Sequence, residues 1–244
     1  MSSTRVIGFD RELQLDWLDA VAARVASGAQ PGEVREWLDV YLGDQLGGEG
    51  PGGHRGKTVT VLGRIWSNVP SHCRTIRDDA LQVITNVPQH ERLAVHWAMA
   101  TAIYPFFGEV TATVGRLLSL QGDVVRAAVI KRLAESWGDR PAVRRATRAV
   151  WTSLAAWQTM TPTAARGHYQ MRASRHPTSA ATTRLLVEAT MYATHRDAIS
   201  MQELQSWPGF YPFAMTDLRS SVVASSQLMI TREGIDLEML RRCR

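Results

Sequence analysis

Lysine is nearly missing from this chain: Lys57 and Lys131 are the only two in 244 residues. Almost all positive charge therefore sits on arginine, whose planar fork suits phosphates and guanine edges. A GC-rich coding sequence accounts for the arginine total but not for its clustering. The same scarcity counts against a metal-dependent nuclease, in which clustered carboxylates usually stand near a lysine. No lysine follows Asp78-Asp79 within the next fifty residues, and that pair reads as first-turn helix acids.

Cysteine is equally scarce. Cys73 and Cys243 lie far apart with no CxxC partner, which excludes a disulfide framework and a zinc module. The seven histidines never recur at i and i+4, so no helical metal pair forms. His72 and Cys73 are sequence neighbours whose side chains diverge, and Cys73 reads as a packed or surface thiol. No nucleotide loop is present either, since Gly53-His54-Arg55-Gly56-Lys57-Thr58 lacks a first glycine at the required distance. With no cofactor signature and no catalytic constellation, the chain is expected not to be an enzyme.

Long apolar runs are also lacking. The segment Leu93 to Gly108, between Arg92 and Glu109, is shorter than the ~20 residues a membrane span needs, and it carries His96 and Pro105. It reads as a buried helix. Met1 to Asp10 has no apolar stretch of signal-peptide length, so a reducing cytoplasm is the expected compartment.

The residues that are present describe a globule. Hydrophobic residues make up 45% and charged residues 21%, which disfavours both disorder and a coiled-coil rod. The expected class is mainly α: a helical bundle over 1–120, a helix-turn-helix unit over 121–175 and a smaller α/β unit over 176–244. Helices are expected at Arg11 to Ala26 and, after Gly28 and Pro31, at Gly32 to Leu42. The stretch Gly43 to Gly56 holds seven glycines and Pro51 and reads as a mobile surface loop. Four apolar-periodic segments follow (Thr58 to Ser67, Thr75 to Thr85, Gln89 to Ile103 and Phe106 to Leu120), parted by Pro70, Pro88 and Pro105.

The formal net charge is +5, and its placement matters more than its size. From Arg126 to Arg148 there are seven cations (Arg126, Lys131, Arg132, Arg140, Arg144, Arg145, Arg148) against Glu135 and Asp139, a local excess of five that leaves the rest of the chain neutral. Val125, Val129, Ile130, Leu133 and Trp137 fit one face of a first helix, Gly138-Asp139-Arg140 breaks it, and Pro141 opens a second. Two helices joined by a short glycine-containing turn make a helix-turn-helix. At about 100° per residue, Val143, Ala146, Val150, Leu154 and Trp157 share one side of the second helix, and Arg144, Arg145 and Arg148 fall opposite. A recognition helix needs that division. An ordinary amphipathic helix with a solvated basic face is the alternative.

From Gln158 to Ser174 the pattern turns to alternation. A strand pair there is a candidate wing, with Arg166, His168, Arg172 or Arg175 near a phosphate row; a plain connecting hairpin is the alternative. Beyond it come an amphipathic segment at Thr178 to Ala193, a short helix near Met201 to Trp207, an aromatic turn at Trp207 to Phe213, a helix at Thr216 to Ser225 and a strand at Leu228 to Arg232. Their order suggests a second winged-helix-like unit.

Laid out this way, the chain resembles the BrxA-type component of BREX bacteriophage-exclusion systems. The likeness rests on the helix pair from Leu13 to Leu42, the Phe106-Phe107-Gly108-Glu109-Val110 segment, and Trp137 ahead of Arg144-Arg145 and Val150. Phe213 leading to Thr231-Arg232-Glu233-Gly234-Ile235-Asp236 completes it. The resemblance implies a bundle similar to the antitermination factor NusB, a winged helix, duplex DNA binding and a part in phage defence without known catalysis, alongside partners such as a methyltransferase or an ATPase. The glycine-rich loop and the long C-terminal segment depart from the compact family pattern. A structural adaptor docking on a larger defence enzyme or RNA polymerase, and a transcriptional regulator of the locus, are the competing expectations.

Overall fold

Glycine and proline set the limits of the first helices. In the computed structural model, which describes residues 7–48, 50–173, 175–223, 225, 227–234 and 237–243, α1 (Leu15–Ala26) stops just before Gly28, whose φ is +89°. α2 (Pro31–Tyr41) begins on Pro31, where the missing N–H has no helical partner to lose. Its first turn is closed by the Glu33 carboxylate accepting the Gln30 N–H at 2.8 Å. Arg11 to Gln14, expected as the first turn of α1, precede the helix.

α3 spans His54–Trp66, so helix begins inside the segment expected to be loop through Gly56. The loop folds back on that helix. A Cβ on Gly56 would lie 2.4 Å from the Gly50 carbonyl oxygen and 2.8 Å from Pro51 Cα, a close approach that only glycine permits. Residues of the notable segments that lie outside the description are Met1 to Val6, Glu49, Ser174, Ala224, Ser226, Ile235 and Asp236.

α4 (Arg74–Asn86), α5 (Arg92–Ile103) and α6 (Pro105–Gln121) complete the N-terminal half. α5 is buried on every side from Leu93 to Ile103, which explains its unbroken apolar run as that of a central helix. Among the described residues no helix is long and apolar enough to cross a membrane. Trp97 on α5 anchors the core, with Phe107, Tyr211 and Phe213 edge-on to its ring at 5.3, 5.5 and 5.3 Å. Its indole N–H donates to the Gly209 carbonyl at 3.2 Å. The aromatic turn is thereby drawn into the same core as the N-terminal helices.

Gly122, at φ +77°, ends α6 and turns the chain into β1 (Asp123–Val125). Then come α7 (Arg126–Trp137), α8 (Pro141–Ala156), β2 (Met160–Pro162) and β3 (His168–Met171). β3 pairs antiparallel with both β1 and β2 and lies between them. β4 (His176–Pro177) pairs in parallel with β6 (Phe213–Ala214), bringing the start of the C-terminal region beside the aromatic turn.

α9 (Ala180–Thr194), which packs along α5, is followed by β5 (Ala198–Ser200), α10 (Met201–Gln205), α11 (Leu218–Val223), β7 (Leu228–Glu233) and β8 (Leu237–Arg242). β8 lies between β5 and β7, antiparallel to both. From α6 and again from α9, the chain runs helix, strand, helix, helix, strand, strand, and each time the last strand inserts between the other two. The second copy has a long link between its middle helices, containing a 3-10 turn at Pro208–Phe210 and β6. Among the described residues the fold is thus mainly helical, with two small antiparallel sheets and one short parallel strand pair in its C-terminal half.

Candidate nucleic-acid interface

The outward face of α8 is fixed by what its inward face touches. Val143, Ala146, Val150 and Leu154 are completely buried, with Trp151 and Trp157 nearly so. Each large side chain there contributes roughly 1.5–3 kcal/mol by leaving water. Trp151 meets Tyr169 of β3 edge-on at 5.2 Å, tying the helix to the sheet. Phe106 of α6 meets Trp137 of α7 in the same way at 5.0 Å. With that side packed inward, Arg144, Arg145 and Arg148 are exposed on the far side of the helix.

These three arginines differ in what they hold. Arg144 is bound by both oxygens of Asp139 in the preceding turn, Nε to Oδ1 at 2.6 Å and Nη2 to Oδ2 at 2.5 Å. Those hydrogen bonds keep the Asp139 carboxyl below its ordinary value and raise the Arg144 guanidinium above its own. Both side chains remain about half exposed, so water and salt compete for the pair. Arg145 makes one contact, Nε to Asp10 Oδ2 at 3.4 Å, and shares that carboxylate with Arg11. Arg148 has no carboxylate within ion-pair distance among the described residues.

The other candidate cations fall into two groups. Arg126, Lys131 and Arg132 are exposed on α7, Arg132 lying 3.6 Å from Glu135, and Arg140 precedes α8 with Nη2 donating to the Trp137 carbonyl at 3.2 Å. Arg166 is exposed in the connection from β2 to β3, where Thr163 N–H donates to His168 O at 2.9 Å and Gly167 takes φ +81°. Arg172 follows β3 half-buried. Arg175 lines a cleft of about 590 Å³ walled by Gly115, Met171, Trp207 and Phe213, to which α8 contributes no residue. Arg175 thus faces the C-terminal elements.

From Arg126 to Arg175, Arg126, Lys131, Arg140, Arg148, Arg166, Arg172 and Arg175 have no ion-pair partner among the described residues. From Arg184 onward every described arginine has one, or an aromatic ring. Arg184 meets Asp79 at 2.9 Å, Arg196 meets Glu203 at 2.5 Å, and Arg219 and Arg232 share Glu238. Arg241 pairs with Glu233, and Arg242 stacks over Tyr192 at 4.3 Å. Set against the unit from α9 to β8, the unit from α6 to β3 and the link after it hold more cations without an ion-pair partner; Arg24, Arg35, Lys57, Arg64, Arg74 and Arg116 of the N-terminal helices have none either among the described residues.

Reading the sequence missed three parts of this site. β1 is masked by the helical spacing that Val125 shares with Val129, although two valines after a glycine are a strand signal. Asp139 reads as a charge and as part of the break between the two helices, not as a partner of Arg144, although an acid just ahead of a helix with arginine in its first turn is poised to pair with it. Asp10 lies 135 positions from Arg145, and no local pattern points to that contact. No known protein family, curated protein or solved structure matches the chain.

Proposed function

We propose that this protein binds duplex DNA, without catalysing a reaction on it, through a winged helix-turn-helix running from α6 to β3. In this reading α8 is the recognition helix, Arg144, Arg145 and Arg148 enter the major groove or grip its walls, and the β2–β3 connection bearing Arg166 is the wing. One observation carries the reading: a helix locked on one side into the core presents three arginines on the other, within a unit rich in cations that lack internal carboxylate partners. A polyanion supplies the missing partners. A part in phage defence follows from the resemblance to BrxA-type proteins, with a methyltransferase and an ATPase as expected companions.

The test is a mobility-shift titration of duplex DNA with the full chain and with the Arg144→Ala, Arg148→Ala double variant. The reading expects a shifted complex that weakens by about tenfold or more in the variant, given 1.5–3 kcal/mol for each charge-assisted contact. Equal binding by the two proteins would remove α8 from the interface.

An adaptor role for the C-terminal unit is the second reading, and a separate observation favours it. Its arginines are occupied by internal partners, while Val223, Met229 and Leu237 stand exposed near α11 and the β7–β8 sheet. Such a surface suits protein contact better than phosphate contact. Pull-down from the native host with Arg126, Arg144, Arg148 and Arg166 neutralised separates the roles: retained partners with lost DNA support both in one chain.

A further inference from the structure

The three arginines of α8 are not equivalent donors. A guanidinium offers two flat faces: a side face formed by Nε–H and one Nη2–H, and an end face formed by Nη1–H and the other Nη2–H. Asp139 occupies the side face of Arg144, Nε with one oxygen and Nη2 with the other, at 2.6 and 2.5 Å. The end face is left open, and the fork is held in one orientation by a residue of the turn that immediately precedes the helix. Neither Arg145, with its single shared contact, nor Arg148, with no carboxylate partner among the described residues, is fixed in this way.

The end face of an arginine presents two parallel N–H groups whose spacing matches O6 and N7 of guanine in the major groove, the commonest base-specific contact. Holding the fork in advance removes side-chain entropy that would otherwise be lost on binding. The same carboxylate disfavours a phosphate at that place, because it already neutralises much of the charge and would repel a second anion. An arginine meant for the backbone needs neither feature.

Resting on the duplex reading above, we infer that Arg144 reads a guanine through its open end face, with Asp139 as the positioning residue that aims it, and that Arg148 contributes phosphate affinity without base preference. The ligand is a duplex with a guanine at one fixed place in each bound site.

The experiment selects binders from a randomised duplex pool with the full-length protein, then measures affinity for the selected duplex and for two altered copies. In one copy the enriched guanine is replaced by inosine, which keeps O6 and N7; in the other it becomes adenine. Wild type should hold the inosine duplex as well as the guanine one and lose roughly 5- to 150-fold on the adenine duplex. Arg144→Ala removes both donors and should bind the guanine and adenine duplexes alike. Asp139→Asn should narrow the ratio between them while far-ultraviolet dichroism stays that of wild type. Arg148→Ala should weaken both duplexes by the same factor.

Selected duplexes with no common guanine, or an Arg144→Ala variant that loses affinity equally for guanine and adenine duplexes, would overturn the base-reading role and leave duplex binding standing. Failure to retain any duplex at low salt would overturn both.

Discussion

The indole N–H of Trp157 donates to the carbonyl oxygen of Leu13 at 2.8 Å, joining the end of the basic helix to the chain entering α1. One turn earlier the Ser153 hydroxyl accepts the Leu13 N–H at 2.9 Å, so both backbone groups of a single buried residue are satisfied by α8. Apolar burial alone positions a helix loosely about its axis. Two hydrogen bonds to one fixed residue set its rotation.

Removing either bond strands a buried polar group of Leu13, whose desolvation costs about 1–3 kcal/mol. Ser153→Ala and Trp157→Phe are each expected to lower stability by that amount in a urea titration, with the slope unchanged. Trp157→Phe should lose more, because the smaller ring also leaves space beside Trp97 and Phe107.

Two glycines in different helices should respond in opposite directions. A Cβ on Gly115 of α6 would fall 2.0 Å from the Pro208 carbonyl oxygen, so Gly115→Ala must push the 3-10 turn away and is expected to cost about 1–3 kcal/mol. Gly63 of α3 has nothing within 4 Å of the added atom. Gly63→Ala should stabilise the protein by about 0.5–1 kcal/mol. Thermal melting of the two variants checks both signs.

Glu188 supplies a pH dependence. It is buried on α9, and burial pushes its carboxyl up to about 7 from 4.5, with Asp79 adding to the rise while Arg184 and Arg242 oppose it. The folded state thus binds more protons than the unfolded state between those values, so stability is fully present below about pH 4.5 and falls as pH rises to about 7. Glu188→Gln should flatten that slope and exceed wild type above pH 7, by at most about 3 kcal/mol. Urea midpoints across pH 4 to 8 give the comparison.

Arg166 tests the wing. If the β2–β3 connection lies along a phosphate row, Arg166→Ala should weaken all duplexes uniformly and lower the salt slope by about 1, leaving any base preference as it was. A changed base preference would point to a groove contact instead.

The helices were legible because each is announced locally. Pro31, Pro105 and Pro141 begin α2, α6 and α8, Gly28, Gly122 and Gly138 follow the ends of α1, α6 and α7, and the division of α8 into Val143-Ala146-Val150-Leu154 and Arg144-Arg145-Arg148 follows from its period. The strands were harder to read. β1 and β5 are three residues long, too short for alternation to register, and each is defined by a partner far along the chain: Val124 by Tyr169 and Ile199 by Leu240. The polar side of the site was hidden for the same reason. That α8 has a basic face is a statement about period, whereas the sharing of Asp10 by Arg11 and Arg145 depends on where the segment ahead of α1 meets α8 in space.

The most direct test of the central claim is the dependence of duplex affinity on salt, followed by fluorescence anisotropy with a labelled duplex, for wild type and for Arg148→Ala. Binding through α8 requires log K to fall linearly with log salt, and the slope to shrink by about 1 when the guanidinium of Arg148 is removed. Affinity that ignores salt, or a slope that Arg148→Ala leaves unchanged, would contradict it.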